Sequence, residues 1–280
     1  MNPTYDTNLQ ASAICWVNNV LEKRGGAFYN VSETFHSGDT NFQGYYSFLP
    51  SKPQMLYDSS ITGAVIPTNC YVNGNPNSRG SYGMSIDFQR GQFLFTSSIP
   101  STVSGSYSAR EINTYFTNDN VEQLIFENQN FVNPKNLPNF TRNNIKDQIV
   151  PAIYVKTDPG FNEFLCFDGM ASTKTQIQLI FISNNSFIFQ NVNSLFRDEK
   201  ERYFPLLSVS DLPFNYLGDL KNLSWNYETL KAAATPNSLI FIEDVKISTF
   251  NTATNQLIGK NALGCVIHVT AELYRFPKLA

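Results

Sequence analysis

The chain has 280 residues, a formal net charge of −3 and 42% hydrophobic residues, a length of one large or two ordinary domains with enough apolar mass for a real core. Only 15% of residues are charged, while 32 Asn, 23 Phe and 14 Tyr fill much of the remainder. That balance excludes intrinsic disorder and the clustered basic footprint of a nucleic-acid-binding protein, and it suits a surface that sits against other subunits.

In chain order, the first predicted element is a helix. Leu9, Ala13, Ile14, Val17, Val20 and Leu21 recur at three- and four-residue steps, which places them on one face. Asp6 or Thr7 can cap its start, and Glu22-Lys23-Arg24 followed by Gly25-Gly26 ends it. A loop from Phe35 to Pro53 follows. Strands are then expected at Ala64–Ile66 and Cys70–Val72, with Asn73-Gly74 as a strong hairpin signal. Tyr82 to Phe88 alternates, Gln89-Arg90-Gly91 turns, and Gln92–Phe95 and Tyr107–Phe116 continue the pattern. Short strands with turn chemistry between them point to an antiparallel sandwich or barrel.

Phe131 to Asn144, rich in Asn and holding Pro134 and Pro138, is the predicted linker. The expected organisation is therefore a β-rich domain with its N-terminal helix over residues 1–130, a linker over 131–144, and a second domain over 145–280. In that second domain Ile149–Val155, Phe164–Phe167 and Thr175–Ile182 read as strands. Phe189, Val192, Leu195 and Phe196 then run at helical spacing into Arg197-Asp198-Glu199-Lys200-Glu201-Arg202, an amphipathic helix with a charged, solvated end. Ser224–Ala234 is a weaker helix, and Leu239–Phe250 and Ala262–Phe276 are long alternating strands. The fold class is α+β: a helix plus an antiparallel β-sandwich or barrel-like half, then a mostly antiparallel sheet with one packing helix.

No catalytic or cofactor motif emerges from these residues. His36 and His268 are the two histidines, and neither has a nucleophile-elbow signature around it. Glu243-Asp244 lies mid-strand, where neighbours point to opposite faces, so the two carboxylates should not converge on one ion. Cys15, Cys70, Cys166 and Cys265 show no metal or C-x-x-C spacing and read as buried reduced thiols. The aromatic runs at Tyr45–Phe48, Phe93–Phe95, Phe164–Phe167 and Tyr274–Phe276 sit mostly at strand-alternating positions and are core by default, although aromatics with depleted charge also mark subunit interfaces. The start of the chain lacks the basic and apolar regions of a signal peptide. No apolar stretch approaches membrane-spanning length, so synthesis in a cytoplasm with no membrane partner is expected.

Tyr71-Val72-Asn73-Gly74, Ser85–Phe95 and Val103-Ser104-Gly105-Ser106-Tyr107 together resemble a strand–VNG–turn–strand–IDF–x-x-G–strand–SY pattern of virion structural proteins of tailed bacteriophages. The second half resembles neck and tail-terminator-like proteins: a strand (Gln176–Ile182), a helix ending Leu195-Phe196-Arg197-Asp198, a Phe204-Pro205 segment and two long closing strands. The resemblance covers about two-thirds of the chain and leaves the N-terminal helix and the linker without a counterpart. It implies a non-enzymatic subunit, without cofactor or metal, that forms a homo-oligomeric ring at the neck or tail of a virion made in a host cytoplasm. Its partners would be copies of itself and neighbouring virion proteins (neck, tail tube or sheath, portal-side adaptor), without specific nucleic-acid binding. The charged stretch offers Arg197, Asp198, Glu199 and Arg202 as subunit-interface residues. The rival expectation is a carbohydrate-binding, adhesin-like sandwich, with a hydrolase third.

Overall fold

A computed structural model describes residues 5–40, 44–79, 83–96, 101–119, 121–122, 124, 150–164, 171–258 and 262–275. The fold is α+β with mostly antiparallel sheets. It forms two compact units: residues 1–26, 112–212 and 228–280 make the first, and residues 27–111 and 213–227 the second. The predicted linker at 131–144 lies outside the described residues. The units divide the chain differently from a split there, because the N-terminal helix and the strand Asn113–Phe116 pack and pair with the C-terminal strands rather than with the strands between them.

The first unit is built on a seven-stranded sheet. β9 (Asn113–Phe116) pairs in parallel with β10 (Ala152–Thr157), and β12 (Ala171–Ser183), β15 (Leu263–Arg275), β14 (Leu239–Thr249) and β13 (Tyr203–Pro205) follow in antiparallel order. β11 (Phe161–Phe164) continues the β10 side of β12. Alternation sets its two faces. Ile177, Leu179 and Phe181 of β12 share one face with Cys265, Ile267 and Val269 of β15, and all six are buried. On that side α2 (Ser186–Arg197) stacks Phe189 on Phe181, with ring centroids 5.6 Å apart. Asn185 caps α2 by accepting from the amides of Phe187 and Ile188. The predicted helix and its apolar side are borne out at Phe189, Val192 and Phe196.

α1 (Tyr5–Asn19) passes directly into a π-helical turn at Val20–Arg24. The sequence predicts one apolar face, but Ser12, Ala13 and Cys15–Leu21 are all buried. The polar residues among them have partners: the Ser12 hydroxyl donates to the Asn8 carbonyl and accepts from the Leu207 amide, and Asn18 Oδ1 accepts from Thr114 Oγ1. Trp16 stacks on Phe204 at 5.0 Å and meets Phe196 edge-on at 5.7 Å.

The second unit is the predicted sandwich. One sheet has the order β1 (Phe28–Thr34), β8 (Val103–Arg110), β4 (Asn69–Val72), β5 (Asn75–Ser78); the other runs β2 (His36–Thr40), β3 (Tyr46–Leu49), β7 (Gln92–Phe95), β6 (Ser85–Asp87). Phe35, Phe48, Phe93, Phe95, Cys70 and Tyr107 belong to one shared core. The hairpin at Asn73-Gly74 forms as expected, with positive φ at both residues (51° and 81°), the type I′ requirement. Gly91, also at positive φ, lies so close to the Pro53 carbonyl that a Cβ would overlap it. Three expectations change here. Residues 64–66 form no strand, and Val65 is exposed. The predicted loop from Phe35 to Pro53 contains β2 and β3, two short strands whose residues give no clear alternation of apolar and polar side chains. Within 107–116 the chain makes two strands, which belong to different units.

Candidate interaction surface

The charged turn that follows α2 has a structure of its own. Arg197, Asp198, Lys200, Glu201 and Arg202 are exposed. Glu199 is not: it is buried, accepts a 3.0 Å hydrogen bond from Trp16 Nε1 and forms an ion pair with Arg24 at the end of the π-helical turn. Arg202 Nε lies 3.7 Å from the same carboxylate and donates to the Asp198 carbonyl at 2.9 Å. The expectation of an entirely free, solvated end is therefore corrected at Glu199. A buried carboxylate needs compensating charge and donors, and the first helix supplies both, in the indole N–H and the Arg24 guanidinium. Burial, then the nearby Arg202, pulls the Arg24 guanidinium below its ordinary value, against Asp198. Of the four sequence-derived interface residues, the structure leaves Arg197, Asp198 and Arg202 accessible and turns Glu199 into their anchor.

The other face of the large sheet is a surface that the sequence did not single out. Its rows follow from strand register. One row runs Tyr203 (β13), Phe241 (β14), Glu272 (β15), Lys174 (β12), Phe161 (β11). Tyr203 and Phe161 are 47% and 52% exposed, and the Tyr203 and Phe241 rings lie 5.0 Å apart. The next row is Asp244, Thr270, Gln176, where Gln176 Nε2 donates to Thr270 Oγ1 at 3.1 Å. The third is Lys246, His268, Gln178, Lys156. Beyond it the same face turns apolar, with Ile180, Ile182, Val266 and Tyr154 in a separate core cluster.

Charge on this open face is divided. Lys174 Nζ is 3.7 Å from Glu163 and 3.5 Å from Glu243, with Glu272 directly across. Desolvation depresses the Lys174 ammonium, but Glu243, Glu272 and Glu163 together hold it above its ordinary value. Asp244 pairs with Lys200 and Lys246, each at 3.2 Å, and its hydrogen bonds with Lys246 and Lys200 hold its carboxyl below the usual range. The expectation that Glu243 and Asp244 point to opposite faces is corrected: a β-bulge between Ile242 and Asp244 inserts one residue and brings both side chains to the open face. His268, expected in an apolar strand, sits half-exposed in the lysine row. His36 is exposed on β2.

In the second unit the buried carboxylates organise turns. Asp87 is wholly buried and accepts from the Gln89 and Arg90 amides, the Arg90 guanidinium and Gln92 Nε2. Asp219 binds Arg79 and the Ser85 hydroxyl, and Asp58 accepts from the Ser60 and Tyr227 amides. Cys15, Cys70 and Cys265 are buried free thiols; Cys166 lies outside the described residues. Burial raises the Cys70 thiol to about 11 and that of Cys265 to about 12. Among the described residues no group of three or more His, Cys, Asp or Glu is placed to hold a metal ion, and no helix is long and apolar enough to cross a membrane.

No protein-family model, no curated protein and no solved structure matches this chain.

Proposed function

We propose that the chain is a structural subunit of a tailed-phage virion, a non-enzymatic component that forms a ring at the neck or tail in a tail-terminator or head–tail joining role. The observation that carries the reading is the anchored charged turn. Glu199 is fixed from three sides by Trp16, Arg24 and Arg202, so Arg197, Asp198, Lys200 and Glu201 are presented from a rigid base. Charges held in place before contact spare the ordering entropy of association and set register between subunits more than they add affinity. The virion assignment itself comes from the sequence resemblance.

The test is negative-stain electron microscopy of the purified chain. Class averages should show closed rings, and Arg197→Glu, which leaves the Glu199 anchor intact, should abolish them while the urea unfolding midpoint stays unchanged. Particles of single-subunit size at all concentrations would overturn the reading.

A second reading, a carbohydrate-binding module, is favoured by one face of the sandwich. The outward residues of β1 and β8, Asn30, Ser32, Thr34, Ser104 and Ser106, are uncharged, and Tyr71 of β4 stands 47% exposed beside Ser104. Retention on immobilised neutral polysaccharide that is lost in Tyr71→Ala would support it.

A further inference from the structure

The open face of the large sheet is complementary to itself. One end is acidic and aromatic: Glu163 and Glu243 share the ammonium of Lys174, with Phe161 and Phe241 in the same row, while Glu272 of that row is buried. The other end carries two lysines: Lys156 makes no ion pair among the described residues, and the Lys246 side chain, 3.2 Å from Asp244, is 80% exposed. The row between carries the Gln176–Thr270 pair, two residues from each end row, and Asp244, whose charge is already met within the chain by Lys200 and Lys246.

We propose that this face is an isologous contact between two copies of the chain, with a two-fold axis along the Asp244–Thr270–Gln176 row. Rotation about that axis preserves position across the sheet and reverses it along the strands. β10 and β11 occupy the same lateral position beside β12, so Lys156 of one copy comes to lie over Phe161 and Glu163 of the other. Lys246 comes to lie over Phe241 and Glu243, which share its strand. Each cation meets a carboxylate and an aromatic ring, the partners that favour it electrostatically. The end rows are four residues apart, about 13 Å at the rise of a strand, and lateral spacing of the strands places the opposed groups without sliding one sheet over the other. A second copy is the occupant because, with the face read against itself, Lys156 and Lys246 of one copy fall at the lateral positions of Glu163 and Glu243 of the other. The contact is isologous, so it is separate from the head-to-tail contacts that close a ring. Two rings joined through it would stack with dihedral symmetry, and the inference stands or falls independently of the ring.

Two measurements on the full chain test it. A residue on a two-fold axis meets its own copy, so Thr270→Cys should be joined into a covalent dimer by a short bis-maleimide well above the wild-type background. Ser248→Cys, exposed on β14 but four residues from the axis row, should stay at background. Charge reversal supplies the second measurement. Lys246→Glu and Glu243→Lys should each weaken dimerisation about tenfold by sedimentation equilibrium, and the double variant should return to within about threefold of wild type. Equal cross-linking of the two cysteine variants, or a double variant weaker than either single one, would overturn the proposal.

Discussion

Two adjacent strands of the first unit, β12 and β15, present two unlike faces. On one, Ile177, Leu179, Phe181, Ile267 and Val269 are fully buried beneath a side that includes α2. On the other, alternating with them residue by residue, stand Lys174, Gln176, Gln178, His268 and Thr270. One period-two sequence thus carries a set of residues that holds the fold and a set that is free to meet a partner. Stability and recognition can change independently on a sheet of this kind, and the clearest predictions are those that separate them.

The largest effect belongs to the covered face. Phe181→Ala removes a fully buried ring stacked on Phe189 and should cost about 3–5 kcal/mol in urea unfolding. Gln178→Ala, three residues away on the open face, should stay within about 0.5 kcal/mol. Equal losses would erase the distinction between the faces.

Glu199→Ala comes next. It leaves the Trp16 indole N–H and the Arg24 guanidinium without their acceptor, and about 2 kcal/mol of stability should be lost. Glu199→Gln keeps an acceptor for Trp16 and should lose less. A neutral result for both would return Glu199 to the solvated end expected from sequence. Asn185→Ala removes the α2 cap and should cost about 1 kcal/mol, read as a lower urea midpoint with no change in association.

The smallest effect is confined to alkaline pH. Cys265, on the covered face, has its thiol raised by burial to about 12, and Tyr274, on the open face, has its phenol raised to about 12, first by its hydrogen bond to Glu272. Both groups are neutral when protonated and have higher pKa values folded than unfolded. Each therefore contributes stability that is complete below the unfolded value and lost as pH rises toward the folded one. The urea midpoint should be flat through neutrality and decline above about pH 9 as thiols begin to ionise in the unfolded chain. Cys265→Ser should make that decline shallower, with the remainder carried by Cys70, and Tyr274→Phe should alter it less, because Tyr274 is the more exposed.

Most of the elements were legible in the sequence where periodicity was long and unambiguous. β12, β14 and β15 alternate over many residues, α2 repeats at helical spacing, and Asn73-Gly74 has a local backbone requirement that only a tight hairpin satisfies. β2 and β3 were missed because Ser37, Gly38 and Tyr46 give no strong alternation. The association of α1 with the C-terminal strands was hidden because Trp16 meets Phe204 and Glu199 across more than 180 positions of sequence. Glu199 was read as solvated because its five charged neighbours are, and no local signal distinguishes the one whose partner comes from another helix. Glu243 and Asp244 were assigned to opposite faces by ideal alternation, which a bulge breaks. The open face was illegible because it consists of cross-strand rows, and rows exist only once register is fixed.

The mass of the purified chain in solution, by light scattering across micromolar to sub-millimolar concentration, tests most directly whether this protein works as an assembled subunit. Assembly predicts a mass that rises with concentration to a multiple of the 31.6 kDa chain and falls again in Lys246→Glu. A mass that stays at 31.6 kDa throughout, unchanged by charge reversal on the open face or at Arg197, would contradict it.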